Sequence, residues 1–462
     1  MSSLTGILYS ARDAMAAQSG ALQTVGSNIT GANVAGYVKR TAVLETRALG
    51  AGQPGSVQFL GGARQVDPFA NKRHVIELGH YGAATARADG LSGLEEPLAS
   101  TNESGLAGRA AAFFGAATTL ASNASDPTAR AAFLARADEV ASAFRTAAEA
   151  LSARRTDLEK TAAGTVEEVN QRAKELSELN GKIATAKATG DEAPELRDRR
   201  DEILKELGER VGATGIEEKD GMITVLAAGT ALVSGTNFAT MSTSLDAKGD
   251  LAITVRSSGG STQDVTARMT EGRIAGLIQA RDTDIPALSD ELDQLAFDLA
   301  GSVNAQHAAG FGADGVSGRS LFKPITQVAG AAAQFTLDAA MIGRPDRVAA
   351  SSTLSGLPGG NANALGLAQI GSVSLAGAGA PAARLGGLAG HLGVLQNQAE
   401  NAVELRTSTV DMTTKLREQA SGVSIEEEMV DLTRYQRGFE ASMRVLKTAD
   451  ELLETVVREL GG

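Results

Sequence analysis

The sequence predicts a mainly α fold with a β-rich insertion: long terminal helices pairing as a coiled-coil-like stalk, a helical middle domain and a small β domain. Three observations carry this. Both ends of the 462-residue chain place apolar residues at a strict four-three spacing, the period of a helix seam. Residues 128–211 read as two amphipathic arms joined by a break, the pattern of an antiparallel helical hairpin. From 213 to about 268 the texture changes to β-branched alternation punctuated by glycines.

Taken in order, Leu4, Leu8, Ala11, Met15, Gln18, Leu22, Val25 and Ile29 share one face of the first helix, which spans roughly 38 Å at about 1.5 Å per residue. Asn33-Val34-Ala35-Gly36 reads as a turn, with Gly36 suited to positive φ. Residues 40–80 carry short β-like runs at 57–60 and 75–78, broken by glycines, and 84–121 are Ala-rich with a helical period. Ser125-Asp126-Pro127 marks a helix start, with a capping residue before a first-turn Pro. One arm of the hairpin is lined by Val166, Val169, Ala173, Leu176 and Ile183, the other by Leu196, Ile203, Leu207 and Val211, with the break at 190–194. Strands are expected at 222–226, 232–235 and 251–255. Helical period returns from 271 to about 308 through Leu288, Leu292, Leu295 and Leu299, and 310–382 is Gly-rich and mixed.

The last segment mirrors the first. Ile425, Met429, Leu432, Gln436, Phe439, Met443, Leu446, Asp450, Leu453, Val457 and Leu460 keep the stagger. Ser424 is placed to cap this helix, and Glu426, Glu427 and Glu428 complement the dipole of its first turn. The domain division that follows is 1–40 with 421–462 as a terminal helical stalk; 41–212 with 271–309 and 383–420 as a helical domain with short β segments; 213–270 as the β domain; and 310–382 as the mixed region.

Two seams at opposite ends of one chain can pair with each other, but a two-helix stalk cannot bury all its apolar side chains. Copies of the same chain, arranged around a tube, are the natural cover. The expected assembly seam is therefore Leu4, Leu8, Met15, Leu22, Val25 and Ile29 with Ile425, Met429, Leu432, Phe439, Met443, Leu446, Leu453, Val457 and Leu460. The polar seam members Gln18, Gln436 and Asp450 are expected to face solvent, the alternative being that they are buried and fix the register.

Chemistry is not expected. The formal net charge is −12, with basic residues interleaved among acids, so neither nucleic acid nor an anionic membrane is an expected partner. Cysteine is absent, which removes disulfides and thiolate sites. No run of eighteen apolar residues is present, and the N-terminus lacks the basic-then-apolar pattern of a secretory signal. His74, His80, His307 and His391 have no metal-ligand spacing, and Gly377-Ala-Gly-Ala-Pro-Ala382 lacks the βαβ context of a dinucleotide loop. The block from Arg197 to Glu202 reads as a solvated helix face whose acids and bases neutralise one another. No catalytic residue, cofactor or metal is expected.

Ser27-Asn-Ile-Thr-Gly-Ala-Asn-Val-Ala-Gly-Tyr37 resembles the N-terminal signature of bacterial flagellar axial proteins, with Asn28, Asn33, Gly36 and Tyr37 as its turn motif and Ala35 where that superfamily usually has Pro. Three further stretches resemble the hook-associated protein 1 family. They are Leu196 to Leu207 with Asp220-Gly221 and Leu232-Val-Ser-Gly235, Glu271 to Leu277 with Ala280-Arg-Asp282, and Ser421 to Met429 with Arg434-Tyr-Gln436. The resemblance implies a structural subunit at the hook–filament junction that forms a homo-oligomer in the axial structure. It implies the flagellar hook protein and hook-associated protein 3 as neighbours, and an export chaperone on the C-terminal segment. It also implies an extracellular place in the flagellum, reached through type III export without a cleavable signal peptide. The alternatives are a hook or distal rod subunit, a soluble coiled-coil adaptor, and an enzyme housed in 213–410.

Overall fold

The computed structural model describes residues 2–34, 36–47, 55–100 and 102–460. The expected mainly α architecture with terminal helices and small antiparallel sheets is present. The chain begins with α1 (Ser2–Gly31), then a hairpin of β1 (Arg40–Arg47) and β2 (Ser56–Arg64). The hairpin lies across α1, with Gly20 directly beneath the Phe59 ring, where a larger side chain has no room. Ala35, the departure within the turn signature, lies outside the described residues.

Helix α2 (Pro68–Leu91) absorbs the run at 75–78 that was expected to be a strand. Asp67 accepts from the Phe69 and Ala70 amides and Pro68 follows, a strong helix start. The glycines that look like breakers are close-contact positions. A methyl group at Gly82 has no space beside the Glu209 carbonyl, and Gly79 sits against the Gly208 carbonyl. They let α2 approach the helix at 194–211 more closely than any larger residue permits.

After α3 (Glu95–Ala99) and α4 (Leu106–Ser122), the hairpin arms are α5 (Pro127–Ala188) and α6 (Pro194–Val211). The expected apolar stripes are inside: Val169, Ala173, Leu176, Ile183, Ile203 and Leu207 are fully buried. Gly190 and Ala193 adopt positive φ at the break. The β insertion forms two antiparallel sheets. One runs in order through β3 (Thr214–Glu217), β4 (Ile223–Ala227), β5 (Thr230–Ser234) and β6 (Asn237–Phe238); the other through β7 (Thr240–Leu245), β8 (Leu251–Arg256) and β9 (Thr262–Asp264). Asn170 and Asn180 of α5 bond to the backbone at Met241 and Ile223, which docks the sheets on the long helix.

Helix α7 (Gly272–Gln279) continues through a π turn at Ala280–Asp284 into α8 (Ile285–Ala309). The Gly-rich stretch beyond it is loop with two single 3₁₀ turns, Pro345–Arg347 and Leu354–Gly356, and one short α-helix, α9 (Ala362–Ile370). Gly377 and Gly379 take positive φ in the loop before α10 (Pro381–Ser421) rather than following a strand. Helix α10 packs along α2, and α11 (Ile425–Leu460) turns back to pair with α1.

Candidate assembly surface and stalk root

The pairing of α1 with α11 uses one of the two lines in the expected C-terminal seam and exchanges the other. Leu432, Phe439, Leu446 and Leu453 lie half-buried toward the pair. The second contact line is displaced by one residue, to Glu428, Tyr435, Ser442, Ala449 and Val456, of which Glu428, Tyr435 and Ala449 are buried. A one-residue step on a helix is about 100°, enough to turn the expected line outward. Met429, Met443 and Val457 are accordingly 49%, 45% and 63% exposed, and Ile425 is 45% exposed. Gln436 and Asp450 on that line face solvent as expected. The Leu460 side chain lies outside the described residues.

On α1, Val25 is buried and Leu4, Leu8, Met15, Leu22 and Ile29 are half-buried. Ala21, Val25 and Tyr435 form a small core joined by Leu22, Ile29, Ala42 and Leu432. Small residues set the distance between the helices: the Gln18 side chain packs on Gly438, with its Oε1 buried and unpaired rather than in solvent. Arg434 covers the Tyr435 ring from outside, 4.6 Å from its centroid.

At the root of the stalk, the turn signature closes a hydrogen-bonded knot around Asn28, which is 1% exposed. Its Nδ2 donates to the Arg40 carbonyl at 2.8 Å and to Glu428 Oε2 at 2.9 Å. Its Oδ1 accepts from the Arg40 amide at 3.0 Å and the Tyr37 hydroxyl at 2.9 Å. All four hydrogen-bonding positions of the amide are filled. The knot ties α1 to the start of β1 and to the first turn of α11. Gly31 lies flat against the Tyr37 ring, and Gly36 takes φ +82° to turn the chain back. Asn33 is exposed and no hydrogen bond places it in the knot. Burial pushes the Tyr37 hydroxyl upward, against the pull of Arg40. Lys39 lies 2.7 Å from Glu427 and 3.5 Å from the buried Glu428, and the hydrogen bond to Glu427 holds its ammonium above the ordinary lysine range.

The block from Arg197 to Glu202 is not a solvated face. Asp198 and Arg200 are buried, and the block receives the stalk. Arg40 and Arg64, directly opposed across the hairpin, both reach it. Arg40 meets Glu195 at 2.5 Å and Asp198 at 3.3 Å, while Arg64 meets Asp198 at 2.8 Å and Asp201 at 2.6 Å. Arg200 in turn pairs with Asp201 and Glu217 and donates to the Gly221 carbonyl. Local neutralisation along the helix was the wrong scale, because Asp198 and Asp201 take partners, Arg40 and Arg64, from a hairpin more than a hundred residues away. Burial raises the Asp198 carboxyl above the ordinary aspartate range, with Arg64 and Arg40 pulling the other way.

His74 Nδ1 lies 3.0 Å from the Thr413 hydroxyl, joining α2 to α10, and His307 bridges the Arg319 carbonyl and the Ala349 amide. Among the described residues no group of histidines and carboxylates is placed to hold a metal, and no helix is long and apolar enough to cross a membrane.

Residues 91–322, half of the chain, match the flagellar hook-associated protein FlgK helical domain. The chain belongs to the flagellar hook-associated protein FlgK family. Residues 418–459, α11 and its approach, match the C-terminal family of the basal body rod proteins FlgEFG. A FlgK-family relative, flagellar hook-associated protein 1 of Salmonella typhimurium, is 29% identical over 69% of this chain and 59% of its own length. The Bacillus subtilis protein of the same name is 26% identical over 98% of both chains. The chain thus spans about 59% of the enterobacterial relatives and nearly all of the Bacillus one. The solved flagellar hook junction protein FlgK of Burkholderia pseudomallei is 26% identical with a TM-score of 0.49, over 56% of this chain and 46% of that one. FlgK-family proteins are structural components of the flagellum.

Proposed function

We propose that this chain is a structural subunit of the bacterial flagellum that forms the hook–filament junction, assembling through its terminal helices. The supporting observation is the outward line of α11. Met429, Met443 and Val457 keep nearly half or more of their surface exposed in one row, with Ile425, Val430, Val445 and Leu452 exposed elsewhere on the helix, which α1 covers on its remaining face. A row of this kind marks a surface that a partner covers, and family membership supplies the setting. The neighbours are further copies of the chain, the flagellar hook protein on one side and hook-associated protein 3 on the other. Before assembly an export chaperone holds the C-terminal segment. The chain then passes through the flagellar type III apparatus to the exterior. No catalysis is involved, and packing alone performs the task.

The match of 91–322 to the hook-associated helical domain favours a junction subunit over a hook or distal rod subunit, for which α11 alone is shared signal. The test is the triple substitution Met429→Ser, Met443→Ser and Val457→Ser in the native bacterium. The purified variant should keep the helical content of the parent, because these side chains touch little within the chain. The cells should carry hooks with no attached filaments. Normal filaments with the variant present at the hook tip refute the proposal.

A further inference from the structure

The terminal unit of α1, β1, β2 and α11 meets the rest of the molecule through charge rather than apolar packing. The large apolar core contains no residue from those four elements, and the core of Ala21, Val25 and Tyr435 contains none from the body. What crosses the boundary is the set of Arg40 and Arg64 pairs to Glu195, Asp198 and Asp201, a bond from the Lys39 amide to the Ser421 carbonyl at 3.0 Å, and the chain itself at 37–39, 65–67 and 422–424. Open clefts flank this boundary. One of about 490 Å³ lies between the end of β2, the start of α2, α6 and β3, and another of about 430 Å³ lies between the end of α1, Tyr37 and α6.

We propose that the Arg40–Arg64–Asp198–Asp201 cluster is a releasable latch that sets the angle of the stalk on the body, and that the stalk pivots about the three chain crossings when the latch opens. Arg64 spans two carboxylates and Arg40 shares one of them, so engagement is directional. Burying the charges opposes their mutual attraction, so the engaged and open states lie close in free energy. An apolar interface of the same extent offers no such balance. The clefts provide the volume into which the hairpin can swing. The knot around Asn28 sits wholly on the stalk side and travels with it. This device belongs to one chain and does not depend on the junction reading.

The experiment uses the full chain as a monomer, which has no native cysteine. Two backbone amides separate the joint from the stalk: Lys39 N–H bonds across the boundary to Ser421, while Arg40 N–H bonds to Asn28 within the stalk. Arg64→Gln and, independently, the isosteric Asp198→Asn should speed hydrogen exchange at Lys39 by roughly tenfold or more and leave Arg40 unchanged. Spin labels on Gln436→Cys and Ser152→Cys, both exposed, should report a second stalk–body distance in each variant. Arg199→Gln, whose partner Glu175 lies within the body, should behave as the parent in both measurements. A single unchanged distance, or acceleration of both amides together, overturns the latch.

Discussion

Replacing Asn28 by Ala tests whether the turn signature acts as a hydrogen-bonded knot or as a convenient bend. The substitution deletes two donors and one doubly used acceptor at a site 1% exposed. The Tyr37 hydroxyl is half-buried and can turn to water. The Arg40 amide, the Arg40 carbonyl and the Glu428 carboxylate cannot, since both residues are buried. Each orphaned group costs about 1–3 kcal/mol, with the carboxylate at the upper end, so the local loss is about 3–9 kcal/mol. Glu428 keeps Lys39 at 3.5 Å, which argues for the lower half of that range. Because the stalk and the body have separate apolar cores, the loss should appear locally. The readout is hydrogen exchange at the Arg40 amide, which should lose on the order of a hundredfold protection or more, while buried amides of α5 stay protected. Asn28→Asp adds a sharper check. It places two carboxylates within hydrogen-bond distance, so Arg40 protection should be worst at neutral pH and recover as acid supplies a shared proton. Exchange at Arg40 within threefold of the parent in the Ala variant refutes the reasoning.

Three further outcomes follow from the same geometry. Burial, followed by Arg417 and Lys205, lowers the His74 imidazole from 6.5 to about 4. The unfolded chain therefore takes up the proton first, and the stability held above pH 6.5 is lost as pH falls toward 4. By pH 5 the loss is about 2 kcal/mol; denaturation of the parent against His74→Gln should show a shallower pH dependence in the variant, and identical slopes between pH 7 and 5 contradict the assignment. Gly82→Ala should destabilise the α2–α6 contact by about 2 kcal/mol or more, whereas Gly26→Ala, with open space around it, should stabilise α1 by about 0.5–1 kcal/mol; thermal melts and exchange in α1 read both. In the isolated monomer, amides at the far end of α11 beyond Ala449 should exchange faster than those near Tyr435, since only the latter lie beside a buried core.

Much of the architecture was legible because it depends on period alone. The α5–α6 hairpin, the switch to short strands after Gly212 and the return of helix at 272 all follow from spacing that local propensity reinforces. Residues 75–78 misled for a physical reason: β-branched residues between glycines look like a strand until a capped start at Asp67 and close packing of Gly79 and Gly82 against α6 are known. The seam was legible as a pair of helices but not as a rotation. Four-three spacing permits either Met429-Gln436-Met443 or Glu428-Tyr435-Ser442 as the second line, and the choice depends on α1 supplying Ala21, Gln18 and the Asn28 knot. The Arg197–Glu202 block misled most. Its charges balance locally, so nothing within the helix announces that Arg40 and Arg64 compete for Asp198 and Asp201. The available signal was the pair of arginines at matching ends of one hairpin, which becomes visible only once the β1–β2 register is known.

The rotation of α11 also bears on when the subunit associates. Pairing within the chain consumes the small and polar-capped line, where close approach is possible, and leaves the larger Met, Val, Ile and Leu side chains outward. Seven large apolar residues of α11 remain roughly half exposed. Completing the burial of each contributes about 1 kcal/mol, or about 3 kcal/mol for the row of Met429, Met443 and Val457 and about 7 kcal/mol for all seven. Lost translational and rotational freedom opposes association by about 4–15 kcal/mol. A single copy meeting another along this row therefore gains little, and a pool of monomers has weak reason to aggregate. A copy arriving at a growing tip is different: it is covered by neighbours on two sides, while the entropic cost is met only once. On this arithmetic the outward residues together are strong enough to hold a subunit in a lattice, and any one row of them is too weak to start one. A subunit that must travel singly and assemble only on an existing end requires that combination.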